Sequence, residues 1–150
     1  MHEGNAMSTE RSISNIVPKI GDVYALRFDG TGSVQTGWRP GVVFQNNIGN
    51  AHSPNVVVLP LTSNLKRMGM PTHVLVKAKD SGLYKDSLVL CENPQCVSKD
   101  QLGRYISTLP DHYMSRIAAA SIMASGAISY MDLDSVIRVW QESATLNTAS

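Results

Sequence analysis

The chain has 150 residues and a formal net charge of +1, with 43% hydrophobic and 17% charged residues. This length and composition predict one globular domain with a core of its own, and they leave too little chain for two. No apolar run approaches the roughly 20 residues that a membrane helix needs. Residues 1–11 contain no apolar segment of a secretory signal, so a cytoplasmic protein without membrane contact is expected.

The charge is unevenly distributed along the chain. Residues 19–110 contain ten Lys and Arg residues against six Asp and Glu residues, whereas the flanks contain three against six. A net charge near zero does not by itself indicate a nucleic-acid-binding protein. The mildly basic centre nevertheless permits a short RNA strand as a ligand.

The N-terminal part is expected to be an arm followed by a strand and a loop. Residues 1–18 are polar and aperiodic, which is typical of a mobile arm. Gly21–Phe28 alternates apolar and polar residues, as in a strand with one face in the core. Residues 30–38 then form a glycine-rich loop. It lacks the Gly-Lys-Ser/Thr ending of a phosphate-binding P-loop, so nucleotide binding is not predicted.

A buried strand is predicted directly after this loop. Pro40 suits a strand start and restrains Arg39 to an extended backbone, so the loop delivers Arg39 to the start of the strand Gly41–Asn46. The loop therefore presents one positive charge at the rim of a rigid sheet. Residues 46–54 follow as a turn-rich stretch.

A second buried strand is predicted over Val56–Leu61, which is continuously apolar. Pro60 near its end indicates an edge or a bulge. Thr62 ends the strand with a hydroxyl, so a small hydrogen-bonding group is expected at the same rim as Arg39. The elements expected downstream are a loop over 63–71, strands over 72–78, 87–92, 95–98 and around 105–106, a turn over 81–86 and one helical turn over 99–103.

The hydrophobic period becomes helical from Pro110 onward. Pro110 suits the first helical position, and Gly126 is expected to weaken or end the helix. Its apolar stripe consists of Tyr113, Met114, Ile117, Ala118 and Ile122. Leu133, Val136, Ile137 and Trp140 predict a final helix, with a frayed end over 143–150. The chain is therefore predicted to be mainly β with C-terminal α-helices (α+β), folded as a small, strongly bent antiparallel barrel.

The two cysteines do not indicate a metal site. Cys91 and Cys96 are five residues apart and are interpreted as reduced thiols at half-buried positions, with a local disulfide as the alternative. A zinc site would need a second pair or spaced histidines, and His52 and His73 are not so arranged. No metal or other cofactor is therefore expected.

Several motifs follow one another in an order that resembles a known family. Gly32–Ser63 contains Gly-Ser-Val-Gln-Thr-Gly-Trp-Arg-Pro and ends in Val-Val-Val-Leu-Pro-Leu-Thr-Ser. Gly21-Asp-Val-Tyr precedes it, and Pro71-Thr-His-Val and Asp86-Ser-Leu-Val-Leu-Cys-Glu follow. This set resembles the MazF/PemK/Kid family of toxins from bacterial toxin–antitoxin pairs, especially the branch of Gram-positive bacteria, over roughly residues 19–129.

The resemblance implies a homodimer and a metal-independent endoribonuclease that cuts single-stranded RNA at short sequences. It also implies a cognate antitoxin, a segment of which lies across the RNA groove. Arg39 and Thr62 match the positions of the family's catalytic arginine and threonine. Ser33 and Gln35 match loop residues that contact substrate in the family.

The chemistry of these residue types agrees with metal-free cleavage of RNA. Attack by the neighbouring 2′-hydroxyl needs proton transfer and a cation where the phosphorane develops charge. Arg39 would supply that charge through a planar fork, and Thr62 would hydrogen-bond a non-bridging oxygen or the 2′-hydroxyl. Without the resemblance, Arg39 reads equally well as a surface cation or as a partner of Asp22 or Glu92, and Thr62 reads better as a turn residue.

Around Glu92 the sequence departs from the family pattern. Where the family often has an arginine followed by a threonine, this chain has Gln95 and Cys96. In some relatives an arginine and an aspartate near this strand transfer protons, and the corresponding residues here are Leu90 and Glu92. Glu92 is therefore a candidate catalytic base.

The other predicted substrate-binding residues are Ser63, Lys66, Arg67, His73 and Gln95. Lys66 and Arg67 are loop charges that would steer phosphates. His73 is interpreted as a strand residue near the groove, in preference to a general base. Trp38 is interpreted as a packing residue of the core or of a dimer, in preference to a platform for a base.

The expected organisation is an arm (1–18), a toxin domain (19–129) and an extra C-terminal helix and tail (130–150). The tail would cap the barrel, extend the dimer or bind the antitoxin. The alternative function is a non-catalytic or weakly catalytic binder on the same fold, acting on a protein such as gyrase or serving in regulation. A pure binder does not need Arg39 and Thr62 together, which favours the nuclease.

Overall fold

The structure, a computed structural model, describes residues 17–29 and 36–149. These residues form seven strands and four α-helices. The strands are β1 (Asp22–Asp29), β2 (Thr36–Val43), β3 (Asn55–Thr62), β4 (His73–Val76), β5 (Ser87–Leu90), β6 (Gln95–Ser98) and β7 (Leu102–Thr108). The helices are α1 (Asn47–His52), α2 (Ala78–Ser81), α3 (Asp111–Ser125) and α4 (Leu133–Ala149), with 3-10 turns at Lys99–Gln101 and Ala127–Tyr130.

All strands pair antiparallel in one bent sheet. The order is β4-β5-β3-β2-β1-β7, and β6 pairs with β3 beside β5. The register of β1 and β2 runs from Val23 opposite Val42 to Asp29 opposite Thr36. The fold class predicted from the sequence is confirmed, but the strand path through the described residues ends at β4 and β7, so the sheet does not close into a barrel.

Strand β3 lies at the centre of the sheet. One side pairs with β2, and the other pairs first with β6, over Asn55–Val58, and then with β5, at Leu61 and Thr62. Pro60 lies at the step between these last two partners, where neither β6 nor β5 pairs with it. The prediction of an edge position is therefore wrong, and the proline is tolerated because that side of the strand changes partner there.

The main core lies between the sheet and α3. Helix α3 buries Tyr113, Ile117 and Ala120 against it, whereas Ala118 and Ile122 of the predicted stripe are only half-buried. The sheet contributes mainly Val23, Val42, Leu59, Leu61, Val74, Val76 and Val89 to this core. A second cluster fills the opposite face near β1, β3 and β6, and it consists of Tyr24, Leu26, Phe28, Val43, Val56 and Val58.

The ends of α3 follow local backbone chemistry. Pro110 is the residue before the helix, not its first helical residue as predicted. Gly126 ends the helix in the left-handed region at φ 78°, as predicted, because a glycine adopts this conformation without a Cβ clash. The Tyr113 hydroxyl accepts a hydrogen bond from the Lys77 backbone N–H and donates to the Asp80 carboxylate, which ties α3 to the segment after β4.

Several boundaries differ from the sequence-based expectation, among them a short helix at Ala78–Ser81 where the strand predicted over 72–78 ends early. Strand β2 begins at Thr36, so Arg39 lies in the middle of the strand and not at its start. The turn-rich stretch contains α1, because the Asn46 side chain accepts from the Gly49 N–H (2.9 Å) and caps a short helix. Helix α4 continues to Ala149, through the region where fraying was expected.

Helix α4 leaves its apolar side chains exposed, among them Leu133, Val136, Ile137 and Trp140. A shallow apolar groove runs between this helix and the 3-10 turn Ala127–Tyr130. None of the helices in the described part of the chain is both long and apolar enough to cross a membrane.

Candidate active-site groove

A groove of about 350 Å³ lies on the face of the sheet opposite α3. Side chains along a strand point alternately to the two faces of the sheet. The residues of β2, β3 and β5 that alternate with core residues therefore face this groove. Arg39, Thr62 and Leu88 have this orientation, next to core residues such as Leu61 and Val89. The lining residues are Arg39, Pro60, Leu61, Thr62, Asn64, Lys66, Arg67, His73, Leu88, Leu90 and Glu92.

His73 and Glu92 form a close pair in this groove. His73 begins β4 and pairs with Leu90 of β5, so Glu92, two residues after β5, lies at the same end of the sheet. His73 Nε2 lies 2.6 Å from Glu92 Oε1, and His73 Nδ1 lies 3.2 Å from the backbone oxygen of Arg67. The side chain of His73 is 2% exposed and that of Glu92 is 31% exposed.

This geometry indicates which atoms carry the hydrogens of the two contacts. A carbonyl oxygen only accepts, so His73 Nδ1 must carry a hydrogen toward Arg67. The short contact at Nε2 then needs one more hydrogen, either on the imidazole or on the carboxyl of Glu92. One hydrogen is therefore shared between His73 Nε2 and Glu92 Oε1, and the carboxyl is the more exposed end of the pair.

Two local hydrogen bonds from backbone N–H groups to side chains two residues earlier order the loop after β3. The Asn64 N–H donates to Thr62 Oγ1 (3.1 Å), and the Lys66 N–H donates to Asn64 Oδ1 (3.1 Å). These contacts are typical of turns that Thr and Asn side chains stabilise. They place the Thr62 hydroxyl at the groove and bring Lys66 and Arg67 to its rim.

The charges of the groove favour an anion. Its lining includes the three cations Arg39, Lys66 and Arg67 and the single carboxylate Glu92. Arg39 is half-buried, whereas Lys66 and Arg67 are exposed. A half-buried guanidinium presents fixed donors in a low-dielectric setting, and the exposed charges attract a polyanion over a longer range. This arrangement suits a phosphate at Arg39, with further phosphates at the rim.

Not all predicted site residues lie in the groove. Ser63 and Gln95 are not among its lining residues, and the Gln95 side chain instead donates to the backbone oxygen of Asn93 (3.3 Å). Ser33 and Gln35 lie outside the described residues, as does the predicted arm up to residue 16. Sequence reasoning missed Asn64, although an Asn two residues after a strand-ending Thr is a turn signal.

The predicted core role of Trp38 is wrong, because its side chain is 65% exposed. Cys91 and Cys96 are both free, with Cys91 buried and Cys96 exposed. Burial raises the pKa of the Cys91 thiol to about 11. Among the residues that the structure describes, no three His, Cys, Asp or Glu side chains are grouped as a metal site would require.

The sequence and the fold match known toxins. Residues 19–122 match a family described as PemK-like, MazF-like toxin of type II toxin–antitoxin systems. The endoribonuclease EndoA of Bacillus subtilis (strain 168) is 34% identical over 116 residues, which cover 77% of this chain and all of that protein.

Two solved mycobacterial structures share the fold. An endoribonuclease from a mycobacterial species is 30% identical with a TM-score of 0.60, and the match covers 74% of this chain and 93% of that one. A mycobacterial endoribonuclease in complex with its cognate antitoxin is also 30% identical, with a TM-score of 0.61 and coverage of 73% and 95%.

Proposed function

This chain belongs to the PemK-like, MazF-like toxins of type II toxin–antitoxin systems and is an endoribonuclease of that family; we propose that it cleaves single-stranded RNA at short sequences without a metal ion. The observation that carries this proposal is that Arg39, Thr62 and the His73–Glu92 pair share one groove. A cation, a hydroxyl and a proton carrier are the groups that metal-free cleavage of a phosphodiester needs.

The reaction proposed is attack by the 2′-oxygen on the adjacent phosphorus. The bond from phosphorus to the 5′-oxygen breaks, which leaves a 2′,3′-cyclic phosphate and a 5′-hydroxyl. Arg39 donates to the phosphoryl oxygens, where negative charge increases in the transition state. Thr62 Oγ1, which already accepts from the Asn64 N–H, keeps its own hydrogen for a non-bridging oxygen or the 2′-hydroxyl.

Glu92 and His73 would carry the proton. In one state the Glu92 carboxylate takes the proton of the 2′-hydroxyl, and in the other the pair returns a proton to the departing 5′-oxygen. The contact between His73 Nδ1 and the Arg67 backbone oxygen holds the ring, so Nε2 stays directed at Glu92. His73 would thus act through Glu92, whose side chain is the more exposed of the two.

The substrate is proposed to enter along the basic rim. Lys66 and Arg67 would bind phosphates on one side of the scissile bond. Ser63 and Gln95, outside the groove lining, would contact only flanking nucleotides. Ser33 and Gln35 remain proposed contacts on the ground of the family motif alone.

A cognate antitoxin and a second copy of the chain are the proposed partners. The mycobacterial relative that was solved with its cognate antitoxin supports the first of these. The proposed organisation is an N-terminal arm (1–18), a toxin domain (19–129) and an additional helix and tail (130–150), in a cytoplasmic homodimer.

The test is to incubate the purified protein with mixed-sequence RNA in EDTA and to map the fragment ends. We expect discrete fragments with 5′-hydroxyl and cyclic phosphate ends. Arg39→Ala should lower the cleavage rate on the order of 10²–10³-fold, as loss of a preorganised donor does. Arg116→Ala, which changes an exposed arginine of α3, is the matched control and should cleave like the wild type.

Three outcomes would contradict this proposal in different ways. No fragments either with or without EDTA, or cleavage that Arg39→Ala leaves unchanged, would remove the nuclease assignment to this groove. Cleavage that EDTA abolishes would contradict metal independence. Growth arrest without RNA fragmentation would instead support the alternative, a binder that acts on a protein target.

A further inference from the structure

A second surface combines exposed aromatic rings with arginines. We call it the aromatic–arginine surface, and it consists of Arg27, Trp38, Tyr84 and Arg104. Trp38 is 65% exposed and Tyr84 is 79% exposed, and both arginines are exposed. Trp38 and Val42 are four residues apart on β2, so their side chains point to the same face of the sheet, the face of the main core. The side chain of Trp38 therefore points away from that of Arg39. The surface is therefore distinct from the groove.

The indole of Trp38 lies close to the backbone of Gly103. It reaches from β2 across β1 to β7, where a Cβ built on Gly103 would be 3.1 Å from Cζ3 of the ring. The same Cβ would be 2.6 Å from the backbone oxygen of Ala25, so no side chain fits at position 103. The six-membered ring of Trp38 is therefore in close contact with β7 at Gly103, while most of the residue stays open to solvent.

A β-bulge brings Arg104 to the same side. Tyr24 pairs with Tyr105 and Leu26 with Leu102, so Ala25 alone faces both Gly103 and Arg104. An extra residue of this kind changes the direction in which the following side chain points. Gly103 contacts Trp38, and Arg104 next to it extends over Tyr84.

Arg104 and Tyr84 are held together by two contacts. The guanidinium carbon of Arg104 lies 5.9 Å from the centre of the Tyr84 ring, and Nη1 donates to the Tyr84 hydroxyl (3.3 Å). Leu83 anchors the loop of Tyr84 in the core under α3, on the side of the sheet that Trp38 faces. Arg27 lies directly opposite Trp38 in the β1–β2 register. Arg27 thus neighbours Trp38 across β1 and β2, and Arg104, next to Gly103, contacts Tyr84.

We propose that the aromatic–arginine surface binds single-stranded RNA that extends beyond the groove, with bases stacked on Trp38 and Tyr84 and phosphates at Arg27 and Arg104. Single-strand binding sites combine stacking platforms with cations in this way, without reading a particular sequence. Trp38 directly precedes Arg39 on β2 but faces the other side of the sheet, so RNA bound at both sites would pass around the sheet. This inference rests on the proposed function, because RNA is the ligand of both sites.

The test uses RNA that the protein cannot cut. Fluorescein-labelled 2′-O-methyl RNA has no free 2′-hydroxyl, so the protein cannot cut it. A probe of about 16 nucleotides extends beyond the groove, whereas a probe of about 4 nucleotides fills one site only. Fluorescence anisotropy over a salt series gives the affinity of each variant for each probe. The variants are Trp38→Ala, Trp38→Phe, Tyr84→Ala and Arg104→Ala. Trp140→Ala and Arg138→Ala, both on exposed positions of α4, are the matched controls.

We expect Trp38→Ala and Tyr84→Ala to weaken binding of the long probe by about 5- to 100-fold, the loss of one stacked base. Trp38→Phe should retain most of the affinity. Arg104→Ala should reduce the slope of log affinity against log salt by about 0.7, the value for one phosphate of a single strand. The short probe and both α4 controls should bind as with the wild type. Tyr84→Ala lies in an exposed loop and provides a second variant should Trp38→Ala not fold.

Three results would overturn the proposal. The first is that folded Trp38→Ala and Tyr84→Ala bind the long probe as tightly as the wild type, and the second is that Trp140→Ala loses as much affinity as they do. The third is that Trp38→Ala changes the oligomeric state of the protein. The last would assign the surface to a second copy of the chain. The outcome is separable from that of the nuclease assay. If the protein cleaves RNA and these variants bind RNA like the wild type, only the proposed RNA-binding surface is wrong. If the variants weaken RNA binding but the protein does not cleave RNA, only the proposed nuclease activity is wrong.

Discussion

At the scale of single residues, the contact between His73 and Glu92 is the most informative feature of the groove. Glu92 was a candidate base from the sequence, but His73 was interpreted only as a residue near the groove. The 2.6 Å contact and the Arg67 backbone oxygen on the other ring nitrogen join the two side chains into one hydrogen-bonded unit. This pair is the reason that we propose Glu92 and His73 as the proton carrier of the groove.

This unit makes Glu92→Gln an informative variant. The amide keeps the shape and a hydrogen bond to His73, but it cannot take up a proton. We expect single-turnover cleavage to slow by about 10²–10⁴-fold, the usual contribution of general acid–base catalysis, while RNA affinity changes little. Glu142→Gln on α4 is the matched control. A loss of affinity with an unchanged single-turnover rate would show that Glu92 only binds the substrate.

The two thiols are expected to react very differently. Burial raises the pKa of Cys91 to about 11, so at neutral pH its reactive thiolate is scarce as well as shielded. Iodoacetamide should therefore modify exposed Cys96 in the folded protein and Cys91 only after unfolding, as mass spectrometry would show. Because the folded state binds the Cys91 proton more tightly, this contribution to stability is present below pH 9 and decreases as the pH rises toward 11. Rapid labelling of Cys91 in the native protein would contradict its burial.

At the scale of elements, the two long helices have different roles. Helix α3 buries Tyr113, Ile117 and Ala120 in the main core, and the Tyr113 hydroxyl adds hydrogen bonds to Lys77 and Asp80. The Asp80 hydrogen bond and burial both raise the pKa of Tyr113, so the phenol stays protonated in the folded protein. Helix α4 instead exposes its apolar side chains and borders only a shallow groove.

Truncation after Ser129 tests whether the C-terminal segment is part of the folding unit. Because the apolar residues of α4 are exposed, we expect the melting temperature to fall by less than about 5 °C, which corresponds to roughly 1 kcal/mol for a domain of this size. Calorimetry of the truncated and full chains measures this difference. A larger decrease would show that residues 130–150 belong to the core, and the division into toxin domain and tail would then be wrong.

At the scale of the whole molecule, the fold class followed from local patterns. Alternation over Gly21–Phe28, the apolar run over Val56–Leu61 and the change to a helical period at Pro110 predicted the elements that form the sheet and α3. The errors have local causes. A side-chain cap at Asn46 forms α1 inside a polar stretch, and β2 starts before the proline because its partner β1 pairs with it from Thr36 onward.

The sequence by itself determined the family, the order of the main strands and the two groove residues Arg39 and Thr62. These depend on the types of residues that lie close together along the chain. Only the tertiary structure decided that His73 contacts Glu92 across 19 positions of chain, and that Trp38 lies against Gly103 on the far side of β1. Both contacts depend on strand register and on a bulge opposite Ala25. Register is a property of paired strands, which the order of residues in one strand does not contain.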